Sequence, residues 1–329
     1  MPSRPCKKDC QNPDYNHKTV TSVHFSGRFS EHTTPPGHPE RPERAEIFGE
    51  VAEAAERRGI KVPSPRPPAV TDLIRVHTDF YLTQLSNLAG RAAMLDEDTF
   101  TSPESIEVAQ LAAGAAIAAA RDAVAASAPA LALVRPPGHH ATPDRAMGFC
   151  IYNNIAIAAA ALRADGLERV AIVDIDVHHG NGTQDVFYED PTVLFISSHQ
   201  YPYWPGTGAA DERGAGAGVG FTLNLPLPAG STDADYESTY RQQVIPALEA
   251  FAPEAMLISA GFDAHQLDPL GGMRVSTAGF KTLTDMLDQT AQRLCRGRRR
   301  RRIIDGRQTL ANLKISFRRN FNSVSRKRF

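Results

Sequence analysis

The chain has 329 residues, of which 42% are hydrophobic and 22% charged, and its formal net charge is −1. A chain of this size and composition buries most of its apolar surface without cross-links, which excludes a disordered protein and a disulfide-stapled small domain. Its four cysteines follow no disulfide framework and indicate a reducing compartment. Because we find neither a signal peptide nor a membrane span, we expect a cytoplasmic protein without a membrane partner.

Charge is distributed unevenly along the chain. Residues 293–329 hold 14 Lys and Arg and one acid, whereas the rest holds 22 Lys and Arg and 36 Asp and Glu. We therefore divide the chain into a polar segment, 1–19, a folded domain, 20–295, and a basic tail, 296–329. A basic tail is typical of nucleic-acid binding. The abrupt change of composition and the five consecutive arginines at 298–302 argue against a nucleic-acid partner here.

Strand-like and helix-like segments alternate through the folded domain. The short apolar segments typical of strands are Val20–Phe25, Ala130–Val134, Val170–Ile175, Val193–Ser197, Phe221–Leu225 and Met256–Ser259. The longer segments with a helical pattern are Arg44–Arg58, Ser105–Ala126, Asn153–Asp165, Asp233–Ala250 and Thr277–Leu294. This alternation predicts a single α/β domain with a parallel sheet.

Polar segments follow four of the predicted strands. They read RPPGHHATPDRAMGFC (135–150), DIDVHHGNGTQD (174–185), SHQYPYWPGTG (198–208) and AGFDAHQLDPLGG (260–272). Ligands of open α/β sheets bind outside the carboxyl ends of the strands. The sequence therefore predicts a functional site where these four segments meet.

Carboxylates and a histidine in two of these segments form a candidate metal site. Asp174, Asp176 and His178 alternate along an extended segment, which places them on one side, and Asp263 follows another strand. Asp176, His178 and Asp263 would give three ligands and leave a position open, as in a catalytic zinc site. Such a set also accepts Fe(II), Mn(II) or Co(II). Aspartates that only cap turns are the structural alternative.

Adjacent His139 and His140 add two imidazoles to the same crevice. An imidazole titrates near neutral pH, so one can take a proton from a metal-bound water while the other acts as an acid or electrostatic partner. Metal ligation and an accidental surface doublet are the alternatives.

The motifs together resemble those of the zinc-dependent histone deacetylase family. RPPGHHA, MGFCIYNN, DIDVHHGNGTQDVFY, SSHQYPYWPGTG and SAGFDAHQLDPLGG carry the resemblance, and GHPERPER, LIRVHTDFYL and LDEDT also fit. The similarity is greatest to the class II branch and to bacterial deacetylase-like and acetylpolyamine amidohydrolase-like members. It covers about residues 20–295 and implies the arginase–deacetylase fold, a single domain with about eight parallel strands and helices on both faces.

The resemblance implies a role for each matching residue. Asp176, His178 and Asp263 match zinc ligands. His139 and His140 match the tandem general base and acid, with Asp174 behind the first and Asn181 behind the second. Positions matching the acyl-lysine tunnel and its rim are Gly148, Phe149, Trp204, Leu270 and Asp98. Arg41 matches a residue near the acetate exit. The expected oxygen ligands of a structural potassium ion come from Asp174, Asp176, His178, Ser197 and Ser198, and a second potassium is expected near Phe187.

The C-terminal region departs from the family pattern. The family carries an oxyanion-binding Tyr after its last strand, and some class II members use His, whereas the last Tyr here is Tyr240 and the last His is His265. The best local match is IIDGRQTLANL, which places Gln308 at the Tyr position and Arg307 at a Gly position. Either the chain is a divergent natural member with a solvated arginine loop, or a frameshift has replaced its C-terminus. The composition favours the frameshift.

Three functions follow from these observations. We expect a zinc-dependent amidohydrolase that removes acetyl groups from acetyl-lysine in proteins or from acetylpolyamines, impaired by the missing Tyr. The alternative is a catalytically weak pseudo-enzyme that binds acyl-lysine. An arginase-like ureohydrolase is disfavoured because it needs more Asp and His ligands for two manganese ions than the sequence offers.

Overall fold

The computed structural model describes residues 20–295, which contain eight strands and nine α-helices. The strands in chain order are β1 (Val23–His24), β2 (Ala93–Asp96), β3 (Thr99–Thr101), β4 (Leu131–Ala132), β5 (Val170–Asp174), β6 (Val193–Gln200), β7 (Thr222–Leu227) and β8 (Ala255–Ser259). The helices are α1 (Glu43–Glu56), α2 (Val70–Leu73), α3 (Asp79–Asn87), α4 (Ser105–Ala126), α5 (Asn154–Ala164), α6 (Asn181–Phe187), α7 (Asp233–Thr239), α8 (Ile245–Phe251) and α9 (Thr277–Leu294).

Four parallel strands form the central sheet, in the order β7-β6-β5-β8. Every residue of β5 and β6 is buried, as expected for strands covered on both faces. Alternate residues of β5 face opposite sides. Val170 and Ile172 join the hydrophobic cluster of α4 and α5, whereas Ala171 and Val173 join that of α7, α8 and α9. The predicted α/β architecture with helices on both faces is therefore confirmed.

A second parallel pair, β1 with β4, packs near α4. Helix α4 is long and apolar enough to cross a membrane by length and composition alone, but most of its residues are buried inside the domain, where it packs against α5. Its Ala-rich surface permits this close helix packing.

The strands differ from the sequence prediction in number and pairing. Six of the eight strands in residues 20–295 pair in parallel, while β2 and β3 form an antiparallel hairpin. The two acidic residues Glu97 and Asp98 join these strands directly, and a two-residue connection permits only antiparallel pairing. The helix predicted over Asp233–Ala250 is interrupted by a π-helical turn at Tyr240–Val244. Pro246 follows this turn and lacks the backbone N–H that an uninterrupted helix needs.

Candidate active site at the carboxyl ends of the sheet

The candidate metal ligands meet beyond two neighbouring strands. Asp174 ends β5 opposite Ser259, which ends β8, so the loops that follow lie side by side. His178 Nδ1 lies 3.1 Å from Asp176 Oδ1 and 3.0 Å from Asp263 Oδ2. One donor atom from each of the three residues lies within 4.8 Å of the others. In the described part of the chain, this is the one cluster of His, Cys, Asp and Glu that fits a metal ion.

Backbone contacts hold the two carboxylates in place. The backbone N–H of Val177 donates to Asp263 Oδ1 at 2.8 Å, and that of His178 donates to Asp176 Oδ1 at 2.8 Å. A Cβ atom at Gly261 would lie 1.7 Å from Asp176 Oδ2. The sequence GFD therefore needs its glycine so that the two acids can approach each other.

The electrostatics of this cluster favour a cation. Burial lowers the pKa of His178, but hydrogen bonds to Asp176 and Asp263 and their charges outweigh burial and raise it to about 11. Burial and the charge of Asp176 raise the pKa of Asp263. A proton is thus held between two acids, and a divalent ion bound to the same oxygen and nitrogen donors would replace it. The donor set fits zinc and other borderline divalent metals.

The two adjacent histidines lie beside the Asp176–His178–Asp263 cluster, with their rings tilted by 44° to each other. Their ring centroids are 3.8 Å apart, and both side chains are buried. His139 Nδ1 lies 2.9 Å from Asp174 Oδ2, whereas His140 Nδ1 lies 2.8 Å from Asn181 Oδ1. Since these oxygens only accept, Nδ1 of each ring carries the proton and Nε2 of each ring is directed elsewhere. His139 Nε2 lies 3.8 Å from Asp176 Oδ2.

The partners shift the two histidines in opposite directions. Burial lowers the pKa of His139, but Asp174 and Asp176 outweigh it and raise the pKa to about 9. Burial and the charge of His139 lower the pKa of His140, and the hydrogen bond that His140 donates to Asn181 only partly offsets this. A charged acid behind one ring and a neutral amide behind the other therefore give two imidazoles of unequal basicity.

Aromatic side chains enclose the approach to these residues. Trp204 packs edge-on against His140 with centroids 4.6 Å apart, and Tyr203 stacks on His178 at 5.5 Å. Tyr203 donates a hydrogen bond to the Leu270 carbonyl, which ties the two loops together. Gly148 has a φ of +56°, and a Cβ there would lie 2.5 Å from His140 Cδ2 and 2.6 Å from Trp204. Only glycine leaves this passage open.

The remaining predicted site residues lie at varied distances from the cluster. Ser198 Oγ donates to the Asp174 carbonyl at 3.4 Å, and Ser197 Oγ contacts His199 Nδ1 at 3.0 Å. Asp98 lies in the turn between β2 and β3. Phe187 is buried at the end of α6. Arg41 is exposed.

Two further residues, Arg44 and Tyr203, contribute to the surroundings of the site and were not predicted from the sequence. Arg44 contacts buried Glu40 at 3.5 Å, and its charge acts on Asp268 in the DPLGG loop. Tyr203 lies next to the Trp204 that the motif singled out. The predictions for Arg307, Gln308 and the basic tail, like those for residues 1–19, lie outside the described residues.

Comparison with known proteins agrees with this geometry. The family model described as "Histone deacetylase domain" matches residues 38–303. The chain belongs to the histone deacetylase family. Its named relatives are deacetylases and amidohydrolases, so deacetylation is the function expected at the level of the family.

Individual relatives match most of this histone deacetylase-family chain. It is 42% identical over 284 residues to "Histone deacetylase 10, chloroplastic" from Oryza sativa subsp. japonica, covering 79% of this chain and 64% of the rice protein. It is 42% identical to "Histone deacetylase-like amidohydrolase" from Pseudomonas aeruginosa, covering 80% and 70% of the two chains. The crystal structure of the HDA15 HD domain superposes with a TM-score of 0.79 at 37% identity, covering 91% and 87%.

Proposed function

We propose that the chain is a zinc-dependent amidohydrolase that removes acetyl groups from acetyl-lysine in proteins and peptides or from acetylpolyamines. The observation that carries this proposal is the buried pair His139–His140, with its unequal partners, beside the Asp176–His178–Asp263 cluster. A metal ligand set next to a tandem proton-transfer pair is suited to amide hydrolysis. A turn-capping role for the aspartates would not account for both features in one crevice.

In the proposed mechanism Asp176, His178 and Asp263 would hold the zinc ion. Bound there, zinc would supply a Lewis acid for the amide carbonyl and a water of lowered pKa. Asp174 keeps the Nδ1 proton on His139, and Asn181 does the same for His140, so that both Nε2 atoms are available for proton transfer. We assign the less basic His140 to accept a proton from water, and His139 to carry the positive charge or deliver a proton to the leaving amine.

The walls of the passage support a narrow acyl-lysine substrate. Phe149 and Trp204 are proposed to line the tunnel, with Gly148 at its narrowest point and Leu270 and Asp98 nearer the rim. Apolar walls exclude water from the reacting amide and fit the methylene stem of lysine. We also propose that potassium binds to oxygens of Asp174, Asp176, His178, Ser197 and Ser198.

A second candidate is a pseudo-enzyme that binds acyl-lysine without efficient turnover. The observation that favours it is the absence of any tyrosine after Tyr240 in the sequence. A single oxyanion donor is worth about 100–1,000-fold in rate. The amidohydrolase hypothesis therefore predicts weak turnover of acetyl-lysine and relatively better turnover of trifluoroacetyl-lysine, whose carbonyl is more electrophilic.

The test combines turnover with metal analysis. Full-length protein is assayed with acetyl-lysine and trifluoroacetyl-lysine fluorogenic peptides, with and without added zinc. We expect zinc-dependent turnover, loss of bound metal in Asp263→Ala, and loss of turnover with retained metal in His140→Ala. Substrate binding without zinc-dependent turnover of either peptide would favour the pseudo-enzyme. Equal metal content in wild type and Asp263→Ala would refute the ligand assignment.

A further inference from the structure

Four residues at the candidate tunnel rim form a closed ring of contacts. They are His38, Asp98, Thr99 and Phe149, and we call them the rim ring. His38 precedes α1, Asp98 and Thr99 belong to the β2–β3 hairpin, and Phe149 follows the His139–His140 loop. The rim ring thus joins three segments that are distant in sequence.

Thr99 provides one side of the rim ring. Its side chain is fully buried. The Thr99 Oγ1 hydroxyl accepts the backbone N–H of Phe149 at 3.0 Å and donates to Asp98 Oδ1 at 3.0 Å. One hydroxyl therefore fixes both the rim carboxylate and the backbone of a proposed tunnel wall. Phe149 needs such support because its φ of +68° is unfavourable for a residue with a side chain.

His38 provides the other side. Its Nε2 lies 3.0 Å from the Asp98 carbonyl oxygen, which only accepts, so Nε2 carries a proton. Its Nδ1 lies 3.1 Å from the backbone N of Glu40 and 3.0 Å from the Glu40 carbonyl oxygen. With the proton on Nε2, Nδ1 accepts the backbone N–H of Glu40, so backbone groups hold both ring nitrogens of His38.

The His38 ring also contacts the tunnel wall directly. It packs edge-on against Phe149 with centroids 4.9 Å apart, and against Phe100 at 5.5 Å. This contact closes the rim ring. His38 holds the Asp98 backbone and packs against Phe149, and Thr99 holds the N–H of Phe149.

We propose that Thr99 and His38 are positioning residues that hold the Asp98 carboxylate for the backbone N–H groups of an acetyl-lysine peptide. This inference rests on the proposed deacetylase function and specifies its substrate class. Within residues 20–295, Asp98 Oδ2 has no hydrogen-bond partner and is left for a ligand. A backbone N–H is a directional donor and gains from a fixed acceptor, whereas the mobile ammonium of an acetylpolyamine needs only a nearby charge.

The experiment uses binding, with the chain's single tryptophan as reporter. Trp204 lies beside His140, so a ligand in the tunnel should change its fluorescence. Three ligands are titrated into zinc-loaded full-length protein: a capped tripeptide with central acetyl-lysine, N-butylacetamide, which represents the acetyl-lysine side chain alone, and acetylputrescine. The proteins are wild type, Thr99→Val, Thr99→Ser and His38→Phe, each checked for an unchanged melting temperature.

We expect Thr99→Val to weaken tripeptide binding about tenfold more than it weakens N-butylacetamide binding, because only the tripeptide uses the Asp98 carboxylate, whereas both ligands are affected by the lost acceptor for the Phe149 N–H. Thr99→Ser keeps the hydroxyl and should restore tripeptide binding. His38→Phe keeps the ring contact, loses the hydrogen bond and should behave like Thr99→Val. If Thr99→Val does not fold, His38→Phe alone decides.

Two results would overturn the proposal. Equal weakening of tripeptide and N-butylacetamide binding would show that the rim ring maintains the shape of the tunnel and does not position the Asp98 carboxylate. Weakening of acetylputrescine alone would show that Asp98 acts as a point charge for a polyamine. If wild type binds none of the ligands, the proposed function itself fails, and this inference falls with it.

Discussion

Protonation of one buried histidine outside the metal-site cluster should make the domain sensitive to mild acid. His77 Nδ1 donates to the Thr142 carbonyl at 3.0 Å, and its Nε2 accepts the backbone N–H of Asn153 at 3.0 Å. A proton on Nε2 would face that N–H and break this hydrogen bond. Burial accordingly lowers the pKa of His77 from its ordinary value of 6.5 to about 4.

The sign and size of the effect follow from linkage. Between pH 4 and 6.5 the unfolded chain binds a proton at His77 that the folded chain does not, so stability falls as the pH falls through this range. At pH 5, a His77 pKa of 6.5 in the unfolded chain and about 4 in the folded chain corresponds to about 2 kcal/mol of lost stability. Several other buried histidines titrate in the same direction, so the effect of His77 must be isolated by a matched variant.

The assay is urea unfolding of wild type and His77→Gln at pH 7 and pH 5. Glutamine retains a donor and an acceptor but does not titrate in this range. We expect wild type to lose about 2 kcal/mol more than His77→Gln between the two pH values, while the other histidines cancel in the comparison. Equal losses in the two proteins would refute the assignment of a neutral, doubly bonded His77.

Three further predictions concern the site and its support. Gly148→Ala should abolish turnover because its Cβ would contact His140 and Trp204, while the control Gly27→Ala, with no atom within 4 Å of the added Cβ, should be neutral in the same assay. Asn181→Asp should raise the pKa of His140 and move the acidic limb of the pH–rate profile upward by about 1 unit; an unchanged profile would contradict the role given to Asn181. Arg135→Met should cost about 3–5 kcal/mol in urea unfolding because it leaves the fully buried Glu40 carboxylate with only the longer contacts from Arg44, at 3.5 Å, and His32, at 3.6 Å, and a cost below 1 kcal/mol would show that these two contacts suffice.

The central sheet could be predicted from sequence because its strands are buried on both faces. β5, β6 and β8 appear as short continuous apolar segments, and their observed bounds agree closely with the predicted ones. The segments containing β1 and β4 were predicted to be strands of five or six residues. In the structure, only two residues of β1 form hydrogen-bonded pairs with two residues of β4. Hydrophobicity indicates burial rather than hydrogen bonding, so it overestimates the length of strands at the edge of a sheet.

The β2–β3 hairpin and helix α3 were not predicted, for a different reason. β2 contains no buried residue, and the buried residues of β3 are the polar Thr99 and Thr101, so no apolar period marks the hairpin. A local signal did exist for α3, since Thr78 caps its first turn by accepting the N–H of Tyr81. Short helices of this kind are stabilised by packing, which a periodicity search over longer windows does not detect.

The central site residues were predictable because they follow adjacent parallel strands. Strand adjacency brings the loops after β5 and β8 together, and a period of two places Asp174 and Asp176 on one side of their segment. The rim ring was not predictable in the same way. The sequence analysis assigned Asp98 to the rim by resemblance, but the contact from His38 crosses 60 residues and depends on a hairpin without a sequence signal.

His139 and His140 occupy similar positions, but a carboxylate accepts from the first and an amide from the second, and this difference affects their charges. Two imidazoles with ring centroids 3.8 Å apart cannot both be charged at low cost. Asp174 stabilises the charge on His139, and that charge in turn lowers the pKa of His140. Asn181 fixes the tautomer of His140 without adding a charge that would cancel this effect. The difference between Asp and Asn behind adjacent residues therefore separates a proton carrier from a proton acceptor, a distinction that the doublet His139–His140 does not contain by itself.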